Sequence, residues 1–204
     1  MNHRVLVIVD MQNDFTDPKG ALYVHGAEHI VEDMNKHLKG DFITKAKIDS
    51  IMVTKDSHEY ADLEIAEFPK TNEPDYIITF PPHCIVGSVG WELSVNLPDV
   101  KTDKYSKNVF DISSNAMFMK DNRALVAKGL VDEYLVCGVA TDICVKHAVH
   151  TLIRIVNKFN MHVKVSIIKP WTAGIDPVES IRLFELTKKY GNVYENMEDL
   201  YKGV

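Results

Sequence analysis

The chain has 204 residues, of which 46% are hydrophobic and 25% charged, with a formal net charge of −6. Such values exclude disordered, collagen-like and coiled-coil classes and bound one domain over residues 1–204 with a sizeable core. The acidic balance, with no local basic block, also excludes a general binder of nucleic-acid phosphates.

Val5 to Val9 is a short continuous β-prone run, the pattern of a parallel strand buried on both faces, and it delivers Asp10 at its C-terminal end. Gly20 and Gly26 punctuate the loop that follows. Ala27 to Lys39 then carries Ile30, Val31, Met34 and Leu38 at helical spacing, with Gly40 placed to end the helix. Ser50 to Thr54 repeats the strand pattern and leads to Asp56 and His58. From Glu59 to Gly90 there are four prolines and little periodicity, and so long a loop in a compact domain is usually functional.

Thr102 to Lys107 reads as a weaker strand and Asn122 to Lys128 as a helix ended by Gly129. Tyr134 to Gly138 is the clearest central strand. Asp142 to Asn157 follows as a helix whose Val145, Ala148, Val149, Leu152, Ile153 and Val156 form one broad apolar face. His162 to Ile168 is a further strand, Pro170 and Gly174 make the next turn, Pro177 to Lys189 is a helix and Val193 to Glu195 a short last strand. This alternation predicts an α/β fold: three α/β/α layers around a mostly parallel sheet, with ligands at the carboxyl ends of the strands.

The chemistry-bearing residues fall at those ends. Cys144 sits where a strand meets a helix, and a helix N-terminus favours the thiolate, so Cys144 is the candidate nucleophile. Cys137, inside the strand, reads as core, and Cys84 as a bystander beside His83. Three cysteines without a C-x-x-C pair argue against a disulfide scaffold or a zinc ribbon and fit a reducing cytoplasm. No stretch approaches ~18 apolar residues, so neither a membrane span nor a membrane partner is expected. His147, one helical turn after Cys144, offers a rival Cys–His dyad.

Four motifs in order carry a resemblance: Asp10 with Gln12, Asp14 and Phe15; Asp56 with His58; Phe80 to Gly90 with His83 and Cys84; and Gly138 to Val145 around Cys144. Together they resemble the nicotinamidase branch of the isochorismatase-like cysteine hydrolases. The resemblance implies Asp10 as general base, Cys144 as nucleophile and Lys107 as third member of the catalytic set. It implies an oxyanion hole from the backbone N–H groups of Ala140 and Cys144, and a cis peptide at Val139–Ala140. Amide hydrolysis would split into formation and hydrolysis of a thioester, converting nicotinamide to nicotinate and ammonia in NAD salvage.

The same resemblance makes Asp56, His58 and His83 ligands of a divalent metal, zinc first, with iron or manganese as alternatives. Phe15, Phe80 and Val139 would line the substrate pocket. After Lys107 the residues Asp111 to Asn115 depart from the family's usual small and aromatic pattern, which bears on the pocket wall near Ser114 and Phe118. Two other readings stand beside this one: a related cysteine amidase acting on another small amide, and a catalytically silent metal-binding protein of the same fold. Isochorismatase activity itself fits less well, because its members lack the cysteine nucleophile. The sequence leaves a homo-oligomer open.

Overall fold

In the computed structural model, which describes residues 3–60, 74, 76 and 79–203, the apolar runs become strands of one sheet. These are β1 (Arg4–Val9), β2 (Ile48–Asp56), β3 (Thr102–Lys107), β4 (Glu133–Val139), β5 (Lys164–Ala173) and β6 (Val193–Tyr194). Their order is β3-β2-β1-β4-β5-β6 and every pairing is parallel, where a mostly parallel sheet was expected. The helices are α1 (Asn13–Thr16), α2 (Ala27–Lys39), α3 (Phe42–Lys45), α4 (Ala116–Ala127), α5 (Lys146–Phe159), α6 (Pro177–Thr187) and α7 (Met197–Lys202).

Alternate strand residues serve two cores, because successive side chains point to opposite faces. Leu6, Ile8, Ile51 and Val53 pack with Met34, Leu38 and Phe42 from α2 and α3. Val5, Val7, Val9 and Met52 pack on the other face with Phe118, Val149, Leu152 and Leu183 from α4, α5 and α6. Each such buried aliphatic side chain contributes roughly 1.5–3 kcal/mol over leaving it in water. No helix among the described residues is long and apolar enough to cross a membrane.

Two expectations change. Helix α4 starts at Ala116, six residues before the expected Asn122, with the Asn115 side chain accepting from Phe118 N at 2.9 Å. Its buried positions are Phe118, Asn122 and Val126, and the polar Asn122, whose Nδ2 donates to Phe118 O at 2.8 Å, interrupts the apolar period. Strand β5 runs through Pro170 to Ala173, where a turn was expected. The β4–β5 register shifts between Val136 and Gly138, from Ile167 to Thr172, and that bulge accommodates a residue with no N–H to donate. Helices α1, α3 and α7 are too short to show a period, and much of the expected Glu59 to Gly90 loop, including Pro69, lies outside the described residues.

The sheet order reverses direction between β1 and β4, so a crevice opens there at the carboxyl ends of the strands. Gly138 permits the close approach: a Cβ on it would lie 2.0 Å from Val9 O. Asp10 leaves β1 beside this point, and Asp56 pairs in register with Lys107.

Candidate active site

Asp10 turns out of β1 in the left-handed region, at φ 49°, a conformation that Asp adopts more readily than most residues. Thr54, on the neighbouring strand, donates its hydroxyl to Asp10 Oδ1 at 2.6 Å. Lys107, at the end of β3, brings its Nζ to 2.7 Å from Asp10 Oδ2 and to 3.6 Å from Cys144 Sγ. The three groups expected to form the catalytic set thus meet, although they come from three separate segments. The competing lysines at 101, 104 and 120 are exposed, whereas Lys107 is buried.

Cys144 lies in a wide helical turn, Thr141–Val145, that precedes α5. The preceding Val139–Ala140 peptide is cis. Position at the start of a helix suggested a thiolate, but burial pushes the Cys144 thiol well up; Lys107 pulls it down, and Asp10 and Asp56 push it up again. Burial and the two carboxylates thus raise the Cys144 thiol against the pull of the Lys107 ammonium. Burial also works against the Lys107 ammonium, yet Asp10 and Asp56, followed by Cys144, hold it well above the ordinary lysine value.

His147 takes no part in this group. Its Nδ1 lies 4.0 Å from Asp111 Oδ2, whereas Cys144 Sγ faces Lys107, so the geometry does not build a Cys–His dyad. Cys137 and Cys84 are buried and burial pushes both thiols up, which disfavours their thiolates. The Cys84 backbone N–H donates to Asp14 Oδ2 at 2.7 Å, so Asp14 orders the loop beside His83.

Asp56, His58 and His83 also converge, with one donor atom from each lying within 4.8 Å of the others. His83 Nε2 and His58 Nε2 lie 3.1 and 3.4 Å from Asp56 Oδ2. His83 Nδ1 faces the Pro81 carbonyl at 2.8 Å, an acceptor that orients the ring with Nε2 toward Asp56. Burial opposes ionisation of Asp56, but Lys107 and hydrogen bonds with His58 and His83 hold its carboxyl well below the usual range. Two imidazoles and a carboxylate gathered in this way fit a divalent cation of the zinc, iron or manganese type. Lys107 Nζ reaches Asp56 Oδ1 at 3.3 Å, so the cysteine group and the ligand group share one ammonium.

Between the two groups opens a largely apolar pocket lined by Phe15, Phe80, Phe110, Val139, Ile175 and Cys144, among others. Phe80 and Phe110 meet edge to face, with centroids 5.6 Å apart. Phe110 and Ile175 had no role in the sequence reading. The wall expected near Ser114 and Phe118 is not formed by them: Ser114 is exposed, and Phe118 is buried in the second core against Tyr105. Phe110, only three residues beyond Lys107, fills that side instead. Gln12 was also missed. Its Nε2 donates to the carbonyls of Asp56 and Trp91 at 2.9 and 3.0 Å, while its Oε1 accepts from Asp56 N at 2.7 Å. Its place two residues after Asp10 was the available signal.

Residues 4–158 match the isochorismatase domain family. A nicotinamidase of Acinetobacter baylyi is 30% identical over 162 residues, which cover 71% of this chain and 72% of that protein. A nicotinamidase/pyrazinamidase of Mycobacterium tuberculosis is 30% identical over 158 residues, 74% of this chain and 79% of that protein. Among solved structures, the pyrazinamidase of Pyrococcus horikoshii in complex with zinc superposes with a TM-score of 0.71 at 24% identity, covering 95% of this chain and 99% of that one. A protein of L. infantum in complex with nicotinate superposes at 0.73 with 22% identity, covering 97% of this chain and 94% of that one. At these identities the structural likeness carries the fold alone.

Proposed function

Because the chain belongs to the isochorismatase family, we propose that it is an amidohydrolase of the nicotinamidase type, converting nicotinamide to nicotinate and ammonia through a thioester on Cys144. The observation that carries the reading is Lys107 Nζ, 2.7 Å from Asp10 Oδ2 and 3.6 Å from the Sγ of Cys144, which lines an aromatic pocket. Nicotinamidase relatives at 30% identity supply the substrate class.

In this mechanism the flat ring enters between Phe15 and Phe80, opposite Phe110. Asp10 accepts the Cys144 proton as Sγ attacks the amide carbon, so no free thiolate need exist beforehand. The negative charge that develops on the carbonyl oxygen is received by the backbone N–H groups of Ala140 and Cys144. Asp10 then returns the proton to the amide nitrogen, the C–N bond breaks and ammonia departs, leaving the thioester. A water, deprotonated by Asp10, attacks the thioester carbon, the C–S bond breaks and the proton returns to Cys144. Throughout, Lys107 stays paired with Asp10.

Asp56, His58 and His83 would hold a divalent metal, with zinc the first choice. When bound, that cation supplies a Lewis-acidic anchor for the ring nitrogen of the substrate. The reaction would return the pyridine ring, as nicotinate, to NAD synthesis in the cytoplasm.

Ammonia release from nicotinamide by purified protein tests the reading. Cys144→Ala and Asp10→Asn should each lower turnover by about 10³-fold or more, and a wild type that releases no ammonia when supplied with zinc, iron or manganese would overturn it.

A further inference from the structure

Strand β5 ends at Ala173, and Gly174, Ile175 and Asp176 carry the chain to α6. The backbone N–H groups of Ile175 and Asp176 both donate to one side chain, that of Asp142, at 2.8 Å to Oδ1 and 3.0 Å to Oδ2. Asp142 is only 7% exposed and belongs to the same wide turn as Cys144. Asp176 continues the chain of contacts by capping α6, accepting from Val178 N at 2.8 Å and Glu179 N at 3.1 Å. The loop is drawn so close to the nucleophile turn that a Cβ on Gly174 would lie 2.7 Å from Asp142 Oδ1 and 2.5 Å from Ser180 Oγ.

This bracket decides where Ile175 goes. Ile175 is 59% exposed and yet lines the pocket with Phe15, Phe80 and Cys144, so it forms the rim. A rim side chain on a loose loop yields to any ligand that pushes on it. One whose backbone is pinned by a buried carboxylate presents a fixed wall, and selectivity against a bulkier ligand comes from a clash that the loop cannot relieve.

We propose that Asp142 is a positioning residue that holds Ile175 as an apolar gate at the pocket rim, so that the site admits a small unsubstituted aromatic amide and rejects one with an added group on the ring. The inference rests on the nicotinamidase reading and names what sets the substrate range of that same site.

The test compares kcat/KM for nicotinamide and 5-methylnicotinamide in wild type, Ile175→Ala, Asp142→Asn, Gly174→Ala and the Ile175→Ala/Asp142→Asn double variant. Ile175→Ala should move the ratio toward the methylated amide by about 10-fold or more, the scale of one methyl group in an apolar pocket. Asp142→Asn should move it the same way, raising KM more than it lowers kcat, and should add nothing further in the Ile175→Ala background. Gly174→Ala brings a Cβ to 2.7 Å from the same Asp142 Oδ1 that holds Ile175 N–H and should reproduce the Asp142→Asn shift, so it replaces that variant if Asp142→Asn does not fold. A wild type active on nicotinamide together with an unchanged ratio in Ile175→Ala overturns the gate alone. Independent, additive shifts from positions 142 and 175 overturn the bracket. No ammonia from either amide with wild type overturns the nicotinamidase reading, and the gate with it.

Discussion

The Lys107 ammonium lies 2.7 Å from the Asp10 carboxylate, and both side chains are buried. The same Nζ reaches Asp56 Oδ1 at 3.3 Å, so one cation neutralises two buried carboxylates. Lys107→Met keeps the bulk and removes the charge. Breaking a buried pair in this way costs about 3–5 kcal/mol, because the surviving charges are left uncompensated. Urea unfolding should show that loss, and turnover should fall by at least about 10²-fold. A Lys107→Met protein as stable and as active as wild type would show that the pair contributes nothing.

Removal of the metal should separate binding from chemistry. Chelator treatment, or His83→Ala, should lower the bound metal measured by elemental analysis and raise KM for nicotinamide more than it lowers kcat. That split follows because in the proposed mechanism Asp56, His83 and His58 serve ring binding, whereas Asp10 and Cys144 carry the proton transfer and the attack. An unchanged KM after complete removal of the metal would count against ring anchoring at Asp56, His58 and His83.

Gln12 holds both the N–H and the carbonyl of Asp56 and also the carbonyl of Trp91. Gln12→Ala leaves buried backbone groups unpaired, at about 1–3 kcal/mol, and loosens a residue of the ligand group. Metal retention should weaken about 10–100-fold, as when other supports of metal ligands are removed. Competition with a chelator of known affinity measures this, and unaltered retention would assign Gln12 to the fold alone.

The opposite end of the sheet offers a pH test away from the site. Burial, then the neighbouring Glu133 carboxylate, push the Tyr194 phenol up to about 12 from 10.0, with Arg4 pulling against them. The phenol donates to Glu133 Oε1 at 3.0 Å, and Arg4 Nη2 is paired with Glu133 Oε2 at 2.7 Å. A group whose folded value is raised favours the folded state fully below its unfolded value, and the benefit is lost as pH rises through the folded value. Thermal stability should therefore decline between pH 10 and about 12, and Tyr194→Phe should flatten that decline. Melting temperatures of the two proteins across this range, with tyrosinate absorbance alongside, decide it; parallel declines would remove Tyr194 as a cause.

What the sequence determined by itself were the local regularities and the chemical types. Val5 to Val9 and Tyr134 to Gly138 read as doubly buried parallel strands because their apolar runs are uninterrupted, and the residues just beyond them, Asp10 and the turn of Cys144, follow from the chain direction. Asp56 and His58 were legible as a pair because alternate residues of an extended segment share a side. Where periodicity was broken or too short, boundaries moved, as at Asn122 inside α4 and Pro170 inside β5.

Only the tertiary structure decided which of several nearby lysines meets Asp10, that Lys107 also serves Asp56, and that Phe110 and not Phe118 faces the pocket. It also set the Cys144 thiol in a buried place near two carboxylates, which a helix start, a local feature, does not reveal. Gln12 and Asp142 bond backbone groups that are remote in sequence. The physical reason is common to all of these: hydrophobic periodicity is a property of neighbouring residues along one segment, while charge balance, desolvation and pocket shape depend on which segments the sheet order brings together.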